Sequence, residues 1–144
     1  MPYIPDDKIE RPELYSPLTL AFVGDAAYEL YVRSRLMQLG SINTNKLHKA
    51  AIHYVKASAQ AKSMHKIVDV LDENELAVYK RGRNAKSATV PKNADVSEYR
   101  SATGFEALVG YLYLKNEPQR LYEIMKLAYE AAEETPTDEQ SLKL

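Results

Sequence analysis

The chain contains no cysteine, no tryptophan and only five glycines in 144 residues. Without cysteine it can form neither a disulfide nor a thiolate metal site. Its three histidines, His48, His53 and His65, fall into no H-x-x-E-H or H-E-x-x-H pattern, which argues against a histidine zinc site. No apolar run reaches the roughly 18 residues of a membrane-spanning helix, so no membrane partner is expected. Met1 to Arg11 carry Asp6, Asp7 and Glu10 where a signal peptide has a basic start and an apolar stretch. A cytoplasmic location is the resulting expectation. An excess of one charge is missing too. The net charge of −1 excludes a generally cationic polyanion binder.

What is present is apolar and helical. Apolar residues make up 45% of the chain, enough for a core, and the length fits one domain over 1–144. Ser16-Pro17 reads as an N-cap with proline at the first helical position, opening a helix from Leu18 to about Leu39 that stops at Gly40. The first half of that helix is apolar on nearly every face, so it is buried centrally or against a partner. Thr44 can cap a helix to about Val55, and Ser58 one from Ala59 to about Leu71. Asp72 with Glu75 resembles a capping box for a helix ending near Lys80. Residues 81–95, RGRNAKSATVPKNAD, lack an apolar period and read as a long, functional loop. Ser97 can cap the next helix, to about Lys115, and Pro118 opens the last, to about Glu134. The end, 135–144, reads as a flexible tail. The fold class is all-α. The eleven tyrosines mostly fall at helical spacing with Leu and Ala, which predicts packing roles, and the histidines read as helix-surface residues.

Two segments carry chemistry. In LAFVGDAAYEL, Asp25 follows Gly24 in the middle of an apolar helix; in TGFEALVGYLYL, Glu106 lies in another, between Gly104 and Gly110. An ionised carboxylate buried in apolar surroundings needs a charge partner, hydrogen bonds or a metal. Gly24 costs about 1 kcal/mol relative to alanine within a helix, so its presence predicts a close backbone approach. A pair of carboxylates suits a hard cation such as Mg²⁺, with Mn²⁺ as a substitute. The competing reading pairs each acid with a core Arg or Lys. Glu29, four residues after Asp25, could assist the site or bridge to Arg33, and Asp95 could reach it from the loop. Between residues 80 and 100, six basic side chains oppose two acids, a net +4 against −5 for the remainder. In that segment Arg81, Arg83, Asn84, Lys86, Ser87, Lys92 and Asn93 are the kinds of side chain that bind phosphates and 2′-hydroxyls.

GDAAYEL and FEALVGYLYL, together with RGRNAKS and PKNAD, resemble the catalytic domain of the ribonuclease III family. They resemble most the compact Mini-III subgroup, which lacks an appended RNA-binding domain. The resemblance covers about residues 15–133. It implies a helical homodimer, with Phe22 at the dimer interface, and Asp25 and Glu106 as catalytic metal ligands. The implied reaction is hydrolysis of double-stranded RNA to 5′-phosphate and 3′-hydroxyl ends with short 3′ overhangs. The implied task is 23S ribosomal RNA precursor maturation, with a ribosomal protein as a possible partner. The sequence also departs from the longer family members: Leu18 and Ala21 stand where they have glutamates, and Thr103 where they have an aspartate. Those losses keep an alternative open, a non-catalytic ribonuclease III-like module that binds structured RNA. A helical protein-interaction domain is a third reading, and it makes the basic segment incidental.

Overall fold

The computed structural model describes residues 9–40, 43–86 and 90–134. The residues read above as an N-terminus without a signal peptide lie largely outside that set, as do Ser87 and the 135–144 tail. Among the described residues there are six α-helices and no strand: α1 (Pro17–Met37), α2 (Thr44–Val55), α3 (Ala57–Ile67), α4 (Glu73–Asn84), α5 (Val96–Leu114) and α6 (Pro118–Glu133). None of them is long and apolar enough to cross a membrane.

The helix ends follow local chemistry. The Ser16 hydroxyl accepts from Leu18 N ahead of Pro17, as the sequence predicts. Asp72 and Glu75 form a full capping box on α4, each carboxylate accepting from the other residue's backbone N–H at 2.8 and 2.9 Å. Other starts differ from the sequence reading. Asn43, not Thr44, caps α2 by accepting from Lys46 N at 2.9 Å. Helix α3 begins at Ala57, ahead of Ser58, and ends at Ile67, where the chain tightens into a 3-10 turn over Val68–Val70. Asp95, not Ser97, caps α5, its carboxylate accepting from Glu98 N at 3.1 Å. That bond gives Asp95 a structural role at the helix start.

The largest difference is at the basic segment. Helix α4 runs on to Asn84, so Arg81, Arg83 and Asn84 lie on a helix and the loop starts only at Ala85. Packing explains the extension. Gly82 rests so closely on α5 that an added Cβ would come within 2.8 Å of Gly104 Cα, and this contact holds the last turn in place.

Helix α5 is central: it packs on α1, α3, α4 and α6, and Phe105, Ala107, Leu108 and Val109 have no exposed surface. Tyr28 of α1 meets Phe105 edge-on, with ring centroids 4.9 Å apart. Tyr54 and Tyr129 stack at 4.1 Å, and the Arg35 guanidinium covers the Tyr129 ring. The tyrosines thus supply core packing, as their spacing predicts. His53 departs from its predicted surface role. It is buried, with Nε2 2.9 Å from the Ala132 carbonyl; His48 and His65 are exposed.

Candidate active site

The site is built by two glycines. Where α1 crosses α5, a Cβ on Gly24 would fall 1.7 Å from the Glu106 carbonyl oxygen, and one on Gly110 would fall 1.9 Å from the Leu20 carbonyl oxygen. The two backbones therefore touch, as Gly24 in an apolar helix predicts. Asp25 is next to the first glycine and Glu106 is one turn before the second, so the crossing brings the acids together.

Their burial is unequal, and here the structure corrects the sequence reading of two buried acids. Asp25 is exposed and Glu106 only partly buried. The physical reason is the stripe Asp25 belongs to. Leu18, Phe22, Asp25 and Glu29 recur along one side of α1, and among the described residues Leu18 and Phe22 on that side are left exposed. Phe22 is 80% exposed and Leu18 40%. Among the described residues, helix α1 is therefore not buried all round. Its covered side carries Leu20, Gly24, Ala27, Tyr28 and Val32.

The electrostatics mark Glu106. Burial pushes its carboxyl up to about 8; a hydrogen bond to Asp25 and the charges of Asp25 and Glu29 push the same way, against a hydrogen bond from Gln60. Two carboxyl groups this close do not both ionise freely, and a proton or a cation between them relieves the repulsion. Glu29 also forms the predicted bridge to Arg33, at 2.8 Å, which gives it a structural role on α1. Asp95 does not join the pair. Gln60, buried on α3, is the residue that sequence reasoning missed. Among the described residues no cluster of three or more His, Cys, Asp or Glu forms a ready-made metal cage.

The basic segment divides between two faces. Arg83 and Asn84 line a groove of about 860 Å³ between α3, the end of α4 and the start of α5. Lys56, Lys62 and Arg100 line it too, with Ser58, Ser97 and Ser101, and among the described residues Glu98 is its one acid. The Arg83 guanidinium lies 5.6 Å from the centre of the Tyr79 ring, and Tyr79 Oη is 3.0 Å from Ser101 Oγ. Lys86, Lys92 and Asn93 are exposed but do not line the groove. Arg81 points elsewhere: it donates to the backbone carbonyls of Glu13 and Tyr15 and so ties the N-terminal turn to α4. Lys56 and Lys62 come from a distant stretch of sequence, which is why charge counting along residues 80–100 could not find them.

Helices packed around a central α5, with two acids joined across a glycine crossing and a basic groove alongside, define a helical nuclease-like domain. The Ribonuclease III domain model matches residues 18–117, and the chain belongs to the ribonuclease III family. It is similar to proteins named Mini-ribonuclease 3. The one from Symbiobacterium thermophilum is 49% identical over 121 residues, 84% of this chain and 93% of that protein. The one from Enterococcus faecalis is 51% identical over 120 residues, 82% and 91%. A Fusobacterium nucleatum protein of known crystal structure superposes with a TM-score of 0.75 at 35% identity, over 86% of this chain and 98% of that one. The fold is thus all-α of the ribonuclease III type, and the chain is an endoribonuclease of the compact Mini-ribonuclease 3 kind. The readings as a non-catalytic module or a protein-interaction domain give way to this.

Proposed function

We propose that this endoribonuclease cleaves double-stranded RNA at a divalent-cation site made by Asp25 and Glu106, and does so as a homodimer. The supporting observation is the acid pair itself: two carboxyls held against each other by a backbone crossing, one retaining its proton up to about pH 8. Carboxylate oxygens in that number suit Mg²⁺, which is held through one or two carboxylates and keeps several waters; Mn²⁺ fits the same donors. A cation bound there supplies an activated water and neutralises charge on the phosphodiester. The chain's own part is to hold that cation with Asp25 and Glu106 and to place the backbone of the duplex.

The groove supports the placement. Lys56, Lys62, Arg83 and Arg100 offer cations along one channel, and the serine hydroxyls offer phosphate and 2′-hydroxyl partners. Helices α3 and α5 serve both features, since Gln60 and Glu106 lie at the acid pair while Lys62 and Arg100 lie at the groove. Lys86, Lys92 and Asn93 extend the basic surface along the loop, whereas Arg81 contributes to it only through the turn it anchors. A-form duplex is read by backbone and shape, so sequence preference is modest, and binding weakens as salt rises. The proposed substrate in the cell is the 23S ribosomal RNA precursor, with a ribosomal protein as a possible partner and the cytoplasm as the compartment.

The test is cleavage of long duplex RNA in Mg²⁺ and in Mn²⁺, alongside a 23S precursor duplex. Asp25→Asn and Glu106→Gln are each expected to lower kcat by two orders of magnitude or more, about 3 kcal/mol of transition-state stabilisation. Unchanged cleavage in both variants would sink the site assignment. Equal rates on the precursor and on an arbitrary duplex of the same length would sink the substrate assignment alone.

A further inference from the structure

From Leu30 to Val68 the chain has no Asp or Glu and seven Lys or Arg, so this stretch is +7 and the remainder −8. It covers the end of α1 and the whole of α2 and α3. A surface that serves solubility alone mixes both signs, so a stretch of one sign needs a reason. Three of the seven cations are used within the chain. Arg33 bridges Glu29 at 2.8 Å, Lys66 pairs with Glu134, and Arg35 donates to Tyr31 Oη at 2.9 Å. The other four, Lys46, Lys49, Lys56 and Lys62, are exposed, and among the described residues no acid pairs with their ammonium groups. Lys56 and Lys62 line the groove. Lys46 and Lys49 lie outside it. With His53 and Lys56 they recur at i, i+3, i+7 and i+10 along α2 and its C-terminal cap, and His53 and Lys56 are groove residues. At about 1.5 Å per residue, the stripe runs about 15 Å from Lys56 out to Lys46. Lys46 stands in the first turn of α2, where the helix dipole favours an acid and none is present. Its charge gains nothing within the chain.

We propose that the α2 stripe is a second contact for the RNA backbone: Lys46 and Lys49 carry the duplex onward from the groove, on phosphates away from the point of cleavage. The inference rests on the reading of the groove as the place of the duplex. Spaced cations along one side of a helix suit a phosphate backbone, and they hold it without selecting sequence. An acidic protein partner needs apolar anchors as well. Among the described residues Ile52 is the one large apolar side chain that α2 exposes. Lys46 and Lys49 lie on α2, whereas Asp25 and Glu106 lie on α1 and α5. The stripe therefore adds affinity and length of footprint and leaves the chemical step alone.

The experiment combines Lys46→Gln with Lys49→Gln and measures duplex RNA binding by fluorescence anisotropy in a chelator, across a range of salt. On a long duplex Kd is expected to rise about tenfold, and the slope of log Kd against log salt to fall by about two, one for each lost phosphate contact. In Mg²⁺ at saturating RNA, kcat is expected to stay within about twofold. Parent and variant should converge as the duplex is shortened, because a duplex that ends at the groove no longer meets α2. Lys46→Arg with Lys49→Arg keeps both charges and is expected to bind as the parent does. Lys115→Gln with Lys126→Gln removes the same charge from the far end of α5 and from α6, and is the control for net charge; its Kd is expected to hold. Lys56→Gln with Lys62→Gln tests the groove itself. If that variant binds weakly while the Lys46 and Lys49 variant keeps the parent's Kd and slope, the α2 contact alone is overturned, and the stripe is left to an acidic partner. An equal loss in the Lys115 and Lys126 control overturns it too, as does a loss that is the same at every duplex length, or a fall in kcat with Kd intact. Unchanged duplex binding in the Lys56 and Lys62 variant overturns the groove reading beneath it.

Discussion

Glu106 stands between opposing influences. Burial and the neighbouring Asp25 favour its protonated form, while the Gln60 amide favours the ionised one, and the balance lies at about 8 against an ordinary 4.5. The folded chain thus holds this proton more tightly than the unfolded chain does. The resulting stability is fully present below about pH 4.5 and is lost as pH rises through about 8. In the presence of a chelator, Tm is expected to decline across that window, and Glu106→Gln is expected to flatten the decline, as thermal unfolding in a pH series can check. An identical slope in the variant would show that another group governs it. For the proposed Mg²⁺ site the expected sense is the reverse: a bound cation would have to displace the proton, so stabilisation by added Mg²⁺ is expected to grow with pH. The two acids were legible in the sequence because charge in an apolar helix is conspicuous. Gln60 was not, because one polar residue in the mixed segment ASAQAKSM has no periodicity to violate until the fold shows that it is buried.

The element that makes the site is the crossing of α1 and α5. Interhelical contact through side chains holds axes about 8–10 Å apart; glycines at both contact points bring the backbones closer. Gly24→Ala would drive a methyl group against the Glu106 carbonyl, with no flexible side chain in the way to yield. We expect a loss of about 3 kcal/mol or more, at the upper end for overpacking, read as a lowered denaturation midpoint. Cleavage is expected to fall further than the folded fraction, because the same displacement parts Asp25 from Glu106. Gly40→Ala is the contrast. It meets no atom and strains only a left-handed backbone of φ +118°, so it is expected to lower stability without disturbing the site. Most of the helical layout was readable from caps and prolines: Ser16-Pro17, Asp72 with Glu75, and Pro118 are all used as read. The end of α4 was not. Gly82 in RGRN reads locally as a breaker, and only its contact with α5 turns it into a packing residue.

At the scale of the whole molecule, one surface is unfinished. Leu14, Tyr15, Leu18 and Phe22 expose apolar side chains at one end of α1, with Phe22 80% exposed. Burying one phenylalanine side chain is worth about 1.5–3 kcal/mol, and a two-fold partner would bury the same set twice. Asp25 and Glu29 continue the stripe that Leu18 and Phe22 begin, so a partner seated on Phe22 would border the acid pair. In the proposed homodimer, assembly and activity are therefore linked through α1. Phe22→Glu places a charge at the centre of that patch and little else, since the side chain contributes almost nothing to the chain's own core. We expect helicity and Tm at low protein concentration to change little. Sedimentation is expected to show a dimer for the parent and a monomer for Phe22→Glu. Double-strand scission should become single-strand nicking or vanish, because two sites related by the dimer axis are needed to cut both strands. A variant that remains dimeric and cuts both strands would refute Phe22 as the interface. A parent protein that sediments as a monomer while cutting both strands would refute the dimer itself.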